Sequence, residues 1–280
     1  MFSADDEATA RRVTAAQHHA ATKFAVTVTG EPVWGWRGRT IGAKTTGPGG
    51  GAAWLRVLSA SEEKAHGKLW EGTALAAKAM AGVAKPALLA EQDWTADGFA
   101  YRAELTAFAS DPVLSSDPAL REEVELSDAW FAELRRSLAL IAAVPTDRSV
   151  ISQDYLNRAM PAFLGLEAGP ATTAQTWTTA HGDLHMANLT GPSLTILDWE
   201  GWGAAPQHYD IAVLHSYCLL APATAARLRR EFAEEFSSPA GRFAELAVIA
   251  ELLQTISRGD NLDLEPVLRD RAATLLAATL

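Results

Sequence analysis

The chain has 280 residues, 48% of them apolar, and a formal net charge of −10 from 34 acidic and 24 basic side chains. That length suits two compact cores, and the apolar share excludes a generally disordered chain. The acidic balance argues against a nucleic-acid backbone or an anionic membrane as partner; it is compatible with a cationic small-molecule substrate, and equally with acidity that serves solubility alone.

Residues 3–22 are polar and alanine-rich and read as a helix. KFAVTVTG, 23–30, alternates like a strand. Residues 33–59 read as two or three short strands, with GPGGG at 47–51 as a turn between two of them and AAWLRVLS as a buried one. Residues 61–82 read as a helix weakened by Gly67 and Gly72. PALLAEQDWTADGFAYRAELTAF reads as two strands joined at TADG. Helical patterns then dominate. One spans 117–143, with Asp117 as N-cap and Pro118 in the first turn, and another spans 152–164. SLTIL is a short strand ending at Asp198, and 208–280 is helical with breaks near Pro222, Ser237 and Gly259. There is no internal repeat. Strands crowd the N-terminal part and helices the rest, which predicts an α+β protein. Its small antiparallel β lobe with one helix is expected over 1–105, and its larger, mainly helical lobe over 106–280.

Cys218 is the only cysteine, so no intrachain disulfide forms and a reducing compartment is expected. The opening MFSADDEATARR lacks the apolar core of a secretory signal, and no apolar run approaches the ~20 residues of a membrane helix. A cytoplasmic protein that engages no membrane and no nucleic acid is therefore expected.

The chemistry concentrates in TAHGDLHMANLTGPSLTILDWEGWG, 179–203. Asp183, Asn188 and Asp198 carry hard oxygen atoms of the kind that suits Mg²⁺. The first two sit on a loop and the third ends a strand, so the segment can bring an aspartate, an amide and a second aspartate around one point. Phosphoryl transfer needs that layout: one aspartate orients the attacking hydroxyl, and an Asn and a second Asp hold metal on the phosphates. A zinc reading of His181, Asp183 and His185 leaves Asn188 and TILDWE unexplained.

H-x-D-x-x-x-x-N, filled by His181, Asp183 and Asn188 and followed by a strand ending in D-W-E, resembles the catalytic core of aminoglycoside phosphotransferases and choline-kinase-like enzymes. These share the protein-kinase fold. The resemblance implies Asp183 as the catalytic aspartate and Asn188 and Asp198 as Mg²⁺ ligands. It implies structural support of the catalytic loop by His181 and by Asp210, at the start of the helix beneath it. Tyr209 and Asp210 follow Asp198 so closely that no long activation loop fits, which favours a small-molecule kinase over a regulated protein kinase.

The resemblance also implies an ATP or GTP site. Gly35 and Gly38 in GWRGRTIG are the candidates for a phosphate-cradling turn. Arg56 in AAWLRVL stands where such kinases carry a lysine, a departure that keeps the charge but changes the reach. Lys44 on the preceding strand is the fallback for that cation; Glu71 is the acid expected to position it, with Glu62 and Glu63 as rivals, and Glu104 and Leu105 mark the expected adenine hinge, read through its backbone. On the acceptor side, Trp202, Glu231, Glu235, Asp260 and Asp263 are candidates for an acidic, aromatic pocket, against the plainer reading of solvated helix faces. The expectation is Mg²⁺-dependent transfer of a γ-phosphoryl group from ATP or GTP to a hydroxyl of an aminoglycoside-like or other small polar acceptor. The alternatives are a kinase for Ser or Thr of a precursor peptide in a natural-product pathway, or a non-catalytic pseudokinase that binds a pathway protein.

Overall fold

The computed structural model describes residues 3–4, 6–35 and 38–277. They divide into two compact units: residues up to Ala79 with Lys85–Ser110, and Met80–Ala84 with the chain from Asp111 onward. The chain therefore passes between the units after Ala79, after Ala84 and after Ser110.

The first unit is an antiparallel sheet with a helix on each face. Its strands are β1 (Thr27–Val28), β2 (Val33–Trp34), β3 (Thr40–Thr46), β4 (Ala52–Ser61), β5 (Leu88–Ala96) and β6 (Phe99–Ala107). The order is β1-β3-β4-β6-β5, with β2 also on β3. Strand alternation sorts the faces. Leu55 and Val57 of β4 and Tyr101, Ala103 and Leu105 of β6 point to one side, where Val13, Ala16 and Ala20 of α1 (Glu7–Lys23) pack on them. Asp6 caps α1 by accepting the Thr9 N–H at 2.7 Å. On the other face, Trp70 of α2 (Lys68–Ala79) packs on Leu58 and Ala100. GPGGG joins β3 to β4 as a hairpin connection, with Gly49 and Gly50 at positive φ. The unit thus has two helices, in the two stretches read as helical at 3–22 and 61–82, which is one more than the single helix expected of the lobe. α2 also begins later than expected, because Gly67 sits at φ +85° and Glu62–Lys64 form a separate turn.

The second unit is mainly helical. It holds α3 (Asp128–Ala142), α4 (Gln153–Leu164), α5 (Tyr209–Tyr217), α6 (Pro222–Glu231), α7 (Ala233–Ser237), α8 (Pro239–Ile256) and α9 (Glu265–Ala277). A two-stranded ladder of β7 (Trp177–Ala180) and β8 (Gly203–Pro206) joins them. α8 is apolar on nearly every side, from Ala244 to Ile256, and forms the middle of the core with α4, α5 and α9. Its one buried charge, Glu245, is gripped by Arg271 of α9 at 2.8 Å and Arg229 of α6 at 3.0 Å, with His215 of α5 beside it at 3.7 Å.

The helix expected from Asp117 starts instead at Asp128, with Ser127 as cap. The preceding segment is committed to distant partners. Leu120 N–H donates to Tyr217 O at 2.8 Å, and the Glu123 carboxylate accepts from the Ala223 and Thr224 amides at the start of α6. SLTIL is one arm of a hairpin in which Leu189 and Ile196 pair antiparallel. Met80–Ala84 is a strap on this unit: Ala84 O accepts from Ile196 N–H at 2.7 Å, and Ala84 N–H donates to Ser137 Oγ at 3.3 Å. No helix among the described residues is long and apolar enough to cross a membrane.

Candidate active site

The loop after β7 is built from the backbone outward. β7 ends at Ala180, and the chain turns at Gly182, whose φ of +89° suits only glycine. A Cβ there would also meet Val150 Cγ2 at 2.7 Å. Asp210, in the first turn of α5, holds this turn: its carboxylate accepts the His181 N–H at 2.7 Å and the Gly182 N–H at 2.9 Å. Burial pushes the Asp210 carboxyl up, against the pull of the His181 ring and these two amides.

His181 is fully buried and links the two arms of the site. Its Nε2 lies 2.8 Å from Leu197 O, and its Nδ1 lies 3.3 Å from the Asp183 amide. Both contacts are satisfied by the neutral tautomer with the proton on Nε2. Leu197 is pinned on its other side too, donating its N–H to Asn188 O at 2.8 Å. The residue before Asp198 is therefore fixed from both sides. Trp199, just after it, packs edge-on against the His181 ring and donates to Ile196 O at 2.7 Å. Asp198 itself is exposed and sits at φ +59°, a left-handed conformation that Asp tolerates better than most residues.

Asp183 and Asn188 meet directly. Asn188 Nδ2 donates to Asp183 O at 2.9 Å and approaches Asp183 Oδ2 at 3.4 Å. The amide nitrogen thus faces Asp183, and the amide oxygen is turned away from it. His185 Nε2 lies 3.4 Å from both Asp183 Oδ1 and Asn188 Nδ2. Burial pushes the Asp183 carboxyl up, but the His185 and His181 rings and the Asn188 amide outweigh it and hold the group below its ordinary value. Its side chain keeps 55% of its surface exposed, so the carboxylate remains open to a partner. The zinc reading does not survive this arrangement, because both His181 nitrogens are engaged. Among the described residues no group of three or more His, Cys, Asp or Glu could hold a metal ion. The Asn188 amide oxygen and the Asp198 carboxylate are hard oxygen donors of the kind that suits Mg²⁺.

In the first unit, Arg56 lies on β4 and points to the face that α2 partly covers. Glu71 is exposed on the first turn of α2. The acid in register with Arg56 is Glu104 of β6, with Arg56 Nη1 to Glu104 Oε2 at 3.5 Å. The hinge expectation at Glu104 and Leu105 fails on topology. Both lie inside β6, bonded by β4 on one side and β5 on the other, so their backbone cannot read a base. The strand runs on to Ala107. Gly35 and Gly38 do form a turn between β2 and β3: Gly38 N–H donates to Gly35 O at 3.0 Å, and Gly35 N–H to Thr40 O at 3.0 Å. The residues between them, Trp36 and Arg37, lie outside the described residues.

Of the acceptor candidates, Glu231 and Glu235 line one cavity with Arg135 and Arg230, and Trp202, Asp260 and Asp263 do not join them. Trp202 is 3% exposed with the Arg148 guanidinium 4.7 Å over its ring, which makes it a packing residue. Glu231 pairs with Arg227 at 2.8 Å and Glu235 with Arg135 at 2.7 Å, at the junction of α6 and α7. Asp263 pairs bidentately with Arg121. Asp260 is exposed beyond α8. Two contributors escaped the sequence reading. Arg148 donates to Glu200 O at 2.9 Å and Trp202 O at 3.0 Å and so braces the chain after Asp198, yet a lone loop arginine carries no signal. The Arg56–Glu104 pairing depends on strand register, which sequence periodicity leaves open.

No protein-family model matches the sequence, and no curated protein does. Solved structures do match. A thermostable mutant of the aminoglycoside phosphotransferase APH(4)-Ia, in ternary complex with AMP-PNP and hygromycin B, gives a TM-score of 0.62 at 15% identity, over 94% of this chain and 98% of that one. The amicoumacin kinase hAmiN, in complex with AMP-PNP, Ca²⁺ and Ami, gives 0.56 at 12% identity, over 96% of each chain. The choline kinase LicA from Streptococcus pneumoniae gives 0.53 at 12% identity, over 96% and 99%. The chain has the fold of these small-molecule phosphotransferases, an α+β fold with an antiparallel N-terminal sheet and a larger helical part.

Proposed function

We propose that the chain is a kinase that transfers the γ-phosphoryl group of ATP or GTP to a hydroxyl of a small molecule. The observation that carries this reading is the braced trio of Asp183, Asn188 and Asp198. Backbone bonds to Asp210, His181 and Leu197 hold it, and no side chain covers the Asp183 carboxylate completely. Three structural counterparts that act on or bind small molecules support it at the level of the fold.

In the reaction, an Asp183 oxygen accepts a hydrogen bond from the acceptor hydroxyl and fixes its direction. The acceptor oxygen forms its bond to the γ-phosphorus while the bond from that phosphorus to the β-phosphate oxygen breaks. The hydroxyl proton passes to Asp183, and the nucleoside diphosphate leaves. A carboxylate held below its ordinary pKa is a weak base, so its contribution is orientation with late proton transfer. Asn188 and Asp198 would hold Mg²⁺, which when bound offsets the negative charge that develops on the phosphates. Asp210 and His181 keep Asp183 and Asp198 in place.

The first test is the melting temperature with Mg²⁺ alone, ATP or GTP alone, and each nucleotide with Mg²⁺. A shift of roughly 2–4 °C that needs both nucleotide and metal is expected at about a hundred times the dissociation constant. The donor so identified then serves a label-transfer screen of hydroxyl-bearing antibiotics, amino alcohols and peptides. Asp183→Ala is expected to abolish transfer and leave Mg-nucleotide binding within about threefold of the parent. Asp198→Ala is expected to remove the metal-dependent part of binding. No shift with either nucleotide, or equal loss of binding in both variants, would overturn the assignment.

A further inference from the structure

One face of the first unit's sheet carries a row of charge that packing does not require. Gly42, Arg56, Glu104 and Glu91 stand in register across β3, β4, β6 and β5. Beside them, Arg102 of β6 bonds Glu91 at 2.5 Å and Asp93 at 3.2 Å. Glu104 lies between the two arginines. Its Oε2 is 3.5 Å from Arg56 Nη1 and its Oε1 is 3.6 Å from Arg102 Nε. The Glu104 side chain is 3% exposed and that of Arg56 is 18% exposed.

We propose that Glu104 is the positioning residue for Arg56, an ion-pair partner supplied by the sheet itself, and that through Arg56 it sets the grip on the nucleotide phosphates. The proposal rests on the kinase reading above. A carboxylate this buried is tolerated only when cations answer it. Glu104 has both arginines within 3.6 Å, and Arg56 is the one that stands directly opposite it on the neighbouring strand. An arginine side chain has many rotamers, and a partner on the adjacent strand fixes one of them before any ligand arrives. A guanidinium has enough N–H donors to keep Glu104 and still grip a phosphate bidentately. The partner is mounted on a strand, so the pair forms with the sheet and does not wait on the placement of α2.

The test is a double-mutant cycle on Mg-ATP and Mg-GTP binding, read by titration calorimetry with no acceptor present. Glu104→Gln is expected to raise the dissociation constant about tenfold, and Glu71→Gln less than about twofold. In an Arg56→Ala background, Glu104→Gln is expected to change it no further, because the effect runs through Arg56. Glu104→Asp keeps the charge but shortens its reach; it is expected to fall between the parent and Glu104→Gln and supplies the cycle if the glutamine variant fails to fold. Additive losses in the cycle, or an effect of Glu71→Gln as large as that of Glu104→Gln, would overturn the proposal and leave the kinase reading standing. A parent protein that binds neither nucleotide would remove both.

Discussion

Asp210 shows how much of the site depends on one side chain that touches no substrate. It accepts the amides of His181 and Gly182, the residues that lead into Asp183. Asp210→Ala leaves two buried N–H groups unpaired, at a cost of about 2–5 kcal/mol, and frees the turn that aims Asp183. Asp210→Asn keeps one acceptor oxygen and is expected to lose less in urea unfolding while still impairing transfer. Equal stability of the alanine variant and the parent would contradict this account. His215 behaves differently. It is 2% exposed, and burial with the charges of Arg229 and Arg271 pushes its pKa down to about 3. Histidine in the unfolded chain titrates near ~6.5, so below that pH the unfolded state binds the extra proton. The stability tied to a neutral His215 is complete above pH ~6.5 and is lost as pH falls toward the folded value. From pH 7 to pH 5 the loss is about 2 kcal/mol. His215→Met is expected to flatten that slope in urea titrations, and an unchanged slope would show that the titrating group lies elsewhere. Asp183, Asn188 and Asp198 were legible in the sequence because one short segment carries all three with their spacing. The brace by Arg148 and the pairing of Glu104 with Arg56 were not, because each joins residues far apart along the chain.

At the scale of elements, the pattern of apolar residues located α4, both long hairpins of the first unit and the run of C-terminal helices. It misplaced the start of α3, because Leu120 and Glu123 are committed to Tyr217 and to the cap of α6, partners roughly a hundred residues away that no local window contains. The acidic residues near the C-terminus read as a pocket, but Glu235 and Asp263 each meet an arginine from another segment, and Glu231 meets Arg227 one turn earlier on its own helix. Glu245 is the strongest such case, since it ties α8 to α6 and α9 from inside the core. Glu245→Ala leaves the two guanidiniums without their shared anion and is expected to cost about 3 kcal/mol. Far-UV circular dichroism in urea would record it as a lower midpoint with an unchanged slope. A midpoint equal to that of the parent would mean that Arg229 and Arg271 find water at no cost.

At the scale of the whole molecule, the sequence placed a single boundary near residue 105, whereas the chain crosses between the units three times. The signal was absent because Met80–Ala84 has no composition of its own; only its bonds to Ile196 and Ser137 assign it to the helical unit. Met80 is 1% exposed, and Met80→Ala is expected to cost about 2–4 kcal/mol. Hydrogen exchange would locate the loss: the Ile196 amide is expected to exchange faster, while the amides of β4 and β6 keep their protection. Faster exchange confined to the sheet would assign the strap to the wrong unit. The strap also decides what a protease cut would do. A nick between Ala79 and Met80 severs the peptide but leaves β4 on one piece and β6 on the other, still paired along their whole length from Ala53–Ala107 to Ser61–Phe99. The two pieces are thus complementary halves of one sheet, and the position marks where this chain could be divided into a split protein that reassembles on mixing.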